Sequence, residues 1–138
     1  MDKVADGIFV GTESDAEDQS LLRKYGVDVV VSLTHSKPET GDVTRVDIPI
    51  VDGPQNSQEA FAEAVTEVVE HRESNRTVLV HCSAGASRSP SVTAAAITHL
   101  TAKDLNEAFN QIINQRSETD PHDALVRQAI KFSDQKSS

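Results

Sequence analysis

Two short runs of β-branched residues constrain the fold of this chain more than any other feature. Residues 27–33 read Val-Asp-Val-Val-Val-Ser-Leu, and residues 77–80 read Thr-Val-Leu-Val. Runs of this length with little alternation of apolar and polar residues are typical of strands that are buried on both faces of a parallel sheet. A sheet covered on both faces needs helices on each side. The two runs therefore indicate an α/β architecture.

The rest of the chain alternates in the same way. A strand is predicted at residues 8–10 and an edge strand at residues 43–50. Helices are predicted at residues 14–25, opened by a capping box of Ser14 and Glu17 and ended by Gly26, and at residues 88–100. Three further helices are marked by their inner faces: Phe61, Val65, Val68 and Val69 after a start at Asn56 or Ser57; Leu105, Phe109, Ile112 and Ile113 after a start at Thr101 and Asp104; Leu125, Ala129 and Phe132 in the last helix.

A chain of 138 residues corresponds to one domain of common size. We therefore predict a single α/β domain over residues 1–138, with a central, mostly parallel sheet of four or five strands flanked by helices. The ordered core is expected over about residues 4–133, and residues 133–138 are expected to form a polar tail.

Composition excludes several functions. Thirteen Lys and Arg against 22 Asp and Glu give a formal charge of −9, whereas nucleic-acid backbones and anionic lipids are bound by basic surfaces. The single cysteine excludes internal disulfides and a Cys-rich zinc site. The N-terminus lacks a signal-peptide profile, and no apolar run approaches the roughly 18–20 residues that span a bilayer. We expect a soluble, cytoplasmic monomer without a metal or cofactor.

One segment carries chemistry. After the strand at 77–80 the chain reads His-Cys-Ser-Ala-Gly-Ala-Ser-Arg-Ser-Pro, so that a lone cysteine, Cys82, is separated by five small residues from Arg88 at a helix start. Small residues with one glycine let successive backbone N–H groups turn inward as an anion-binding nest, and the helix N-terminus adds positive potential. The Arg88 guanidinium is a planar fork suited to two phosphate oxygens.

The same field favours the thiolate of Cys82 over the thiol, since helix ends and nearby cations stabilise such thiolates. The segment therefore predicts a nucleophile aimed at a bound oxyanion. A Walker phosphate-binding loop is excluded, because no Gly-x4-Gly-Lys-Ser/Thr occurs. Four other histidines, His35, His71, His99 and His122, show no metal-ligand spacing.

The filled motif His-Cys-x5-Arg-Ser resembles the signature of cysteine-based protein phosphatases, most closely the small dual-specificity group. Segments at residues 8–11, 25–33 and 48–52 and the helix after Cys82 follow the order of that family, so the resemblance covers about residues 4–133. It implies that Cys82 attacks phosphorus and forms a phosphocysteine. It also implies that Ser89 assists the thiolate as a leaving group and that His81 supports the loop. Phosphate would be bound by Arg88 and by the backbone amides of Ser83, Ala84, Gly85, Ala86, Ser87 and Arg88.

The resemblance also implies a general acid on a loop about thirty residues before the cysteine. Asp52 fits this position, since it follows Ile-Pro-Ile-Val and precedes Gly53-Pro54. Because a free aspartate is ionised at neutral pH, we expect a mildly acidic optimum or a closed site that favours the protonated acid. Asp120, which precedes Pro121, is the competing candidate, because low-molecular-weight phosphatases use an Asp-Pro pair.

The expected substrates are phosphoproteins, with both phospho-Tyr and phospho-Ser/Thr admitted, because residues 34–42 form a short loop without a tyrosine-recognition segment. Ala84 and Ala86 stand where lipid phosphatases of the superfamily place Lys, which disfavours a phosphoinositide substrate. A phosphatase for phosphoinositides or other small esters and a non-catalytic phosphoprotein-binding adaptor remain the alternatives. RNA triphosphatase activity is disfavoured by Asp52 and the negative charge.

Overall fold

A five-stranded sheet with helices on both faces forms the structure, a computed structural model that describes residues 1–137 and the side chains of residues 1–134. The elements are β1 (Asp2–Ala5), β2 (Ile8–Gly11), α1 (Glu13–Glu17), α2 (Gln19–Lys24), β3 (Val29–Ser32), β4 (Thr44–Asp47), α3 (Gln58–Glu73), β5 (Val78–His81), α4 (Arg88–Leu100), α5 (Leu105–Gln115) and α6 (Asp123–Ser137).

The strand order is β1-β2-β5-β3-β4, so β5 occupies the centre of the sheet. It runs parallel to both neighbours, and only β1 is antiparallel, to β2. The predicted mostly parallel sheet of four or five strands is therefore confirmed. In α/β sheets, ligands bind outside the carboxyl ends of the strands. The chain leaves the carboxyl end of β5 directly into Cys82.

Both faces of the sheet are buried, as the β-branched runs predicted. In β3, Val29 and Val31 face a core built with α3, α4, α5 and α6, whereas Val30 faces a smaller core with α1 and α2. In β5, Val78 and Val80 likewise face the larger core, and Leu79 faces the smaller one. Every residue of both strands is buried, which explains why the sequence shows no alternation of polar and apolar positions.

Several predicted elements are confirmed. The helix predicted at 88–100 matches α4, and the helix expected to open at Asn56 or Ser57 is α3, whose N-cap is Ser57. Its predicted inner residues are buried, as are Leu125, Ala129 and Phe132 of α6. The predicted edge strand at 43–50 is β4, which is shorter and partly exposed.

The helix predicted at 14–25 is wrong in detail, because the segment forms two helices. Thr12 and Asp15 make the capping box of α1, and Asp18 ends α1 and caps α2 through Leu21 N–H. An aspartate that satisfies free N–H groups favours a helix start over a helix interior. The predicted capping box of Ser14 and Glu17 is therefore not formed.

Two predictions about α5 are also wrong. Asp104, which forms a capping box with Glu107, begins this helix, whereas Thr101 ends α4. Ile113, predicted on the inner face, is 43% exposed. The buried stripe of α5 is narrower and contains Ala108 and Ile112.

The polar segment 133–138, predicted as a tail, continues α6 as far as Ser137, and residue 138 lies outside the described residues. Strand β1 was not predicted. Among the described helices, none has the length and apolar character that crossing a membrane would require.

Candidate active site

The loop from Cys82 to Ser87 connects the central strand β5 to the N-terminus of α4. Ser87 is the N-cap residue of α4, yet its side chain makes no capping hydrogen bond to the helix. An N-cap serine usually satisfies one of the free N–H groups of the first turn. Because the Ser87 hydroxyl does not cap α4, the free N–H groups at the start of this helix, next to Cys82, are available to an anion.

Each carbonyl oxygen of the loop from Ser83 to Ser87 accepts a hydrogen bond from a group outside the loop. Glu13 N–H donates to Ser83 O (3.3 Å), and Asp120 N–H donates to Ala86 O (2.6 Å). Ser87 O accepts from Ser91, through N–H and through Oγ. The remaining two bonds come from one guanidinium: Arg116 Nη2 donates to Ala84 O (3.0 Å), and Arg116 Nε donates to Gly85 O (2.8 Å).

These bonds determine where the loop amides point. The described peptide bonds are trans, and in a trans peptide the C=O and the following N–H point in opposite directions. The N–H groups of residues 84–88 therefore face away from the groups that hold the carbonyls. Gly85 makes the reversal possible with φ of +66°, and a Cβ there would lie 2.7 Å from Gly11 O. The loop has the geometry of an anion-binding nest.

Cys82 begins this loop in a nearly closed environment. The residue is 3% exposed, and its Sγ lies 3.2 Å from the hydroxyl of Ser89, which is fully buried in the first turn of α4. A hydroxyl at this distance donates a hydrogen bond to a thiolate. The predicted pairing of Cys82 with Ser89 is therefore present in the structure.

Arg88 lies across the mouth of the loop. Its Nη1 donates to Ile50 O (3.0 Å), and its Nη2 donates to Ser83 Oγ (3.0 Å). The first partner belongs to the segment that leads to Asp52 and the second to the loop itself. The guanidinium thus joins the two segments that sequence reasoning assigned to phosphate binding and to acid catalysis.

His81 is fully buried at the end of β5, where the register places it between Gly11 and Ser32. Ser32 Oγ lies 2.8 Å from the Nε2 atom of its imidazole ring. Its Nδ1 lies 3.4 Å from Cys82 O. Burial lowers the pKa of His81 below its ordinary value, with Arg88 acting in the same direction. A neutral ring that contacts the backbone of Cys82 fits the supporting role implied by the sequence.

Asp52 reaches the loop through its side chain. Its Oδ1 accepts a hydrogen bond from Ser87 Oγ at 2.5 Å. The loop that carries it is held by Asn56, whose side chain bonds both the N–H and the carbonyl of Val51 at 2.7 Å. Asp52 is exposed on its other side. The structure therefore brings this carboxylate, predicted thirty positions before the cysteine, to the rim of the nest.

Asp120 also lies beside the loop, but it does so through its backbone N–H, which bonds Ala86 O. Its segment between α5 and α6 supplies two contacts that sequence reasoning missed: Arg116, 6% exposed, and His122, whose N–H donates to Ser87 Oγ at 2.8 Å. A basic residue just after a helix carries no sequence signal that separates it from an ordinary surface arginine. Asp2 pairs with Arg116 Nη1 at 2.8 Å.

Within the part of the chain that the structure describes, no three His, Cys, Asp or Glu side chains come together in a way that could hold a metal ion. The donors around Cys82 are N–H groups, a guanidinium and hydroxyls. This set suits an anion with several oxygens, such as phosphate.

A central parallel strand that leads directly into a cysteine, a five-residue nest and an arginine at a helix start define a domain of the cysteine-phosphatase type. Residues 8–135 match the family model of the dual specificity phosphatase catalytic domain. The chain belongs to that family. The resemblance read from the sequence is confirmed.

Known proteins support the assignment. The chain is 32% identical over 133 residues to dual specificity protein phosphatase Mpk3 of Drosophila melanogaster, an alignment that covers 93% of this chain and 32% of that protein. Its fold is similar to human DUSP28, with a TM-score of 0.91, 22% identity and full coverage of both chains. It is also similar to a human tyrosine phosphatase-like serine/threonine/tyrosine-interacting protein, with a TM-score of 0.88, 22% identity, and coverage of 100% and 98%. This chain thus spans about a third of the Mpk3 sequence.

Proposed function

We propose that this protein hydrolyses phosphate monoesters on phosphoproteins, both phospho-Tyr and phospho-Ser/Thr, through a phosphocysteine intermediate at Cys82. Family membership supports protein phosphatase activity. The observation that carries the mechanism is the outward pairing of every carbonyl from Ser83 to Ser87, since it turns the amides beside Cys82 toward a bound anion.

In the first step, Cys82 Sγ attacks phosphorus opposite the ester oxygen. The S–P bond forms as the P–O bond breaks, and the electron pair of that bond goes to the leaving oxygen. Charge develops on the equatorial oxygens, where loop amides and the Arg88 fork stabilise it. Arg88 must exchange its present bonds to Ile50 O and Ser83 Oγ for bonds to phosphate oxygens. Asp52 gives its proton to the leaving oxygen.

In the second step, water attacks phosphorus and Asp52 takes its proton. The S–P bond breaks, and Cys82 leaves as a thiolate that accepts a hydrogen bond from Ser89 Oγ. Inorganic phosphate is released, and Asp52 is again protonated. Each proton lost in the first step is recovered in the second, so the cycle closes without a metal or cofactor.

A rapid acid quench tests the covalent step. Wild-type protein mixed with an aryl phosphate, in the presence of chelator, should carry one phosphoryl group on Cys82, detected by mass spectrometry of the peptide. Cys82→Ser should bind phosphate and lose turnover. Hydrolysis of the aryl phosphate by Cys82→Ser at the wild-type rate would refute the phosphocysteine mechanism.

The general acid is tested by leaving-group dependence. Asp52→Asn should lower turnover strongly for an aryl phosphate with a poor leaving group and weakly for one with a good leaving group, because only the former needs the proton. Asp120→Asn is the matched control, with a carboxylate on the other segment beside the loop. If the Asp120 variant shows the selective loss instead, the assignment moves to Asp120.

A phosphoprotein-binding adaptor is the second candidate, favoured by the likeness of this fold to a human protein whose name describes it as interacting. Fold alone does not separate a catalyst from a binding protein. Cys82, Arg88 and Asp52 are all present here, which supports catalysis. A panel of phospho-Tyr, phospho-Ser/Thr, phosphoinositide and nucleotide esters would identify the substrate class. Cytoplasmic location and a monomeric state remain predictions.

A further inference from the structure

The hydroxyl of Ser87 links the phosphate-binding loop to the general acid. Resting on the proposed function, we propose that Ser87 is a positioning residue. It orients the Asp52 carboxyl group and directs the catalytic proton to Oδ2, the oxygen that Ser87 does not contact. Its role would be separate from that of its backbone amide in binding phosphate.

Ser87 is placed to cap α4, but its hydroxyl is committed elsewhere. The residue is 7% exposed, and its side chain makes no bond to the helix that it precedes. Instead it lies between Asp52 Oδ1, at 2.5 Å, and the backbone N–H of His122, at 2.8 Å. The hydroxyl thus links a segment that precedes the loop in sequence, at Asp52, to a segment that follows it, at His122.

The direction of both hydrogen bonds follows from donor chemistry. A backbone N–H can only donate, so Ser87 Oγ accepts from His122. Its own proton then points to Asp52 Oδ1, which must accept. A protonated carboxyl group has one O–H, and an oxygen that already accepts a short hydrogen bond is the poorer place for it. The proton therefore resides on Oδ2.

Further hydrogen bonds hold the segments on both sides of the contact between Ser87 and Asp52. Ser87 O is held by Ser91 N–H and Ser91 Oγ, which restricts the serine backbone. On the other side, the Asn56 side chain is hydrogen-bonded to the backbone of Val51, the residue before Asp52. Asn56 O in turn accepts a hydrogen bond from Gln128 Nε2 of α6 at 3.0 Å. Between these anchors the carboxyl group of Asp52 has one polar contact with the loop, through Ser87. Removal of that contact frees its rotation.

Proton transfer then takes a defined route. As the P–O bond breaks, the Oδ2 proton moves to the leaving oxygen, and Asp52 becomes a carboxylate whose Oδ1 still accepts from Ser87. In the second step Oδ2 takes the proton from the attacking water. Ser87 keeps its own proton throughout, so atoms and charges balance.

Ser87→Ala tests the proposal. We expect turnover of phenyl phosphate to fall about tenfold, part of the roughly 10²–10⁴-fold that a positioned acid contributes. Turnover of an ester with a good leaving group should change by less than about twofold, because that reaction needs little help from the acid. Ser87→Thr, which keeps a hydroxyl, should restore phenyl phosphate turnover. Competitive inhibition by inorganic phosphate should be unchanged in Ser87→Ala, because the backbone amide remains.

Ser91→Ala is the matched control, since this hydroxyl holds Ser87 O but does not contact Asp52. It should affect esters with good and poor leaving groups by equal factors. A rise in the phosphate inhibition constant of Ser87→Ala, or equal losses on both esters, would place Ser87 in the loop structure alone and overturn the proposal.

A double-mutant cycle separates this proposal from the function on which it rests. If Ser87 acts through Asp52, Ser87→Ala should cause no further loss on phenyl phosphate in an Asp52→Asn background, whereas independent roles would give multiplied losses and refute the coupling. Trapping of the phosphocysteine in the same variants reports on Cys82 alone. If the phosphocysteine is trapped but the losses of phenyl phosphate turnover multiply in the double mutant, the phosphatase mechanism is supported and the proposed role of Ser87 is refuted.

Discussion

Replacement of Arg116 by methionine should damage both the fold and the loop that we propose binds phosphate. Arg116 lies 31 residues beyond Gly85 in sequence, yet its guanidinium holds Gly85 O at 2.8 Å and Ala84 O at 3.0 Å, and it pairs with Asp2 at 2.8 Å. With 6% of its surface exposed, the side chain is removed from water. Methionine keeps much of its length and apolar contact but none of the donors.

The magnitude follows from what is left behind. A hydrogen bond from a charged donor contributes about 1.5–3 kcal/mol, and removal of one member of a buried pair costs roughly 3–5 kcal/mol. Asp2 is 40% exposed on its side chain, so water replaces much of its pairing. The cost is therefore set by the two loop carbonyls, one on Gly85, a buried residue, and one on Ala84, an exposed residue. We expect a loss of about 3 kcal/mol of unfolding free energy.

Urea denaturation and inhibition by inorganic phosphate measure the two effects separately. Arg116→Met should lower the urea midpoint and also weaken phosphate binding about tenfold, or about 1.4 kcal/mol, because carbonyls that are no longer held outward let the amides turn away. Arg116→Lys should recover part of the stability but less of the phosphate affinity, since an ammonium cannot hold two carbonyls as a fork does. Asp2→Asn is the matched control and should cost less than about 1 kcal/mol. If Arg116→Met bound phosphate as tightly as the wild type, the loop would hold its shape unaided.

Three further predictions concern the loop, its buried histidine and a remote helix. Gly85→Ala should lower stability by more than the roughly 1–2 kcal/mol that left-handed backbone costs an alanine, because the new Cβ would meet Gly11 O at 2.7 Å; a urea midpoint within error of wild type would contradict this. Because the pKa of His81 is lowered in the folded state by burial, the unfolded chain binds more protons below about pH 6.5, and stability should fall as pH drops through that range. His81→Gln should lose this part of the pH dependence in urea titrations between pH 5 and 7.5, and an unchanged slope would show that other groups cause it. Asp104→Ala should cost about 1 kcal/mol through its lost cap on α5 while leaving phosphate inhibition unchanged, and a change in inhibition would mean that α5 is coupled to the site.

The sequence predicted those features whose causes lie close together in the chain. The bounds of α4 follow from the small-residue loop before Arg88 and from the polar residues after Leu100, and the buried strands follow from unbroken β-branched runs. Cys82 and Arg88 are predicted as site residues because seven consecutive positions carry their motif. Asp52 is predicted only through a family resemblance, since no local pattern distinguishes it from a turn aspartate.

Features formed by distant partners escaped prediction. Strand β1 contains one large apolar residue, Val4, and exists because the edge of β2 offers it an antiparallel partner. Arg116 and Asp2 are 114 residues apart, and neither carries a local signal of the pair that they form. Helix α5 was given too wide an inner face, because an apolar residue such as Ile113 can remain exposed at little cost.

The motif by itself does not make an anion site. Its small residues allow a loop conformation in which the amides lie on one side. They do not select that conformation, because a glycine-containing segment has many conformations of similar energy. Orientation comes from Glu13 at the start of α1, Ser91 in α4, and Arg116 and Asp120 in the connection between α5 and α6, which all donate hydrogen bonds to the loop carbonyls. The free energy that orders the loop is thus supplied by the folded domain and requires no ligand. Under the proposed function, a bound phosphate would meet amides that need no reorganisation, which is the condition under which hydrogen-bond donors stabilise a transition state most effectively.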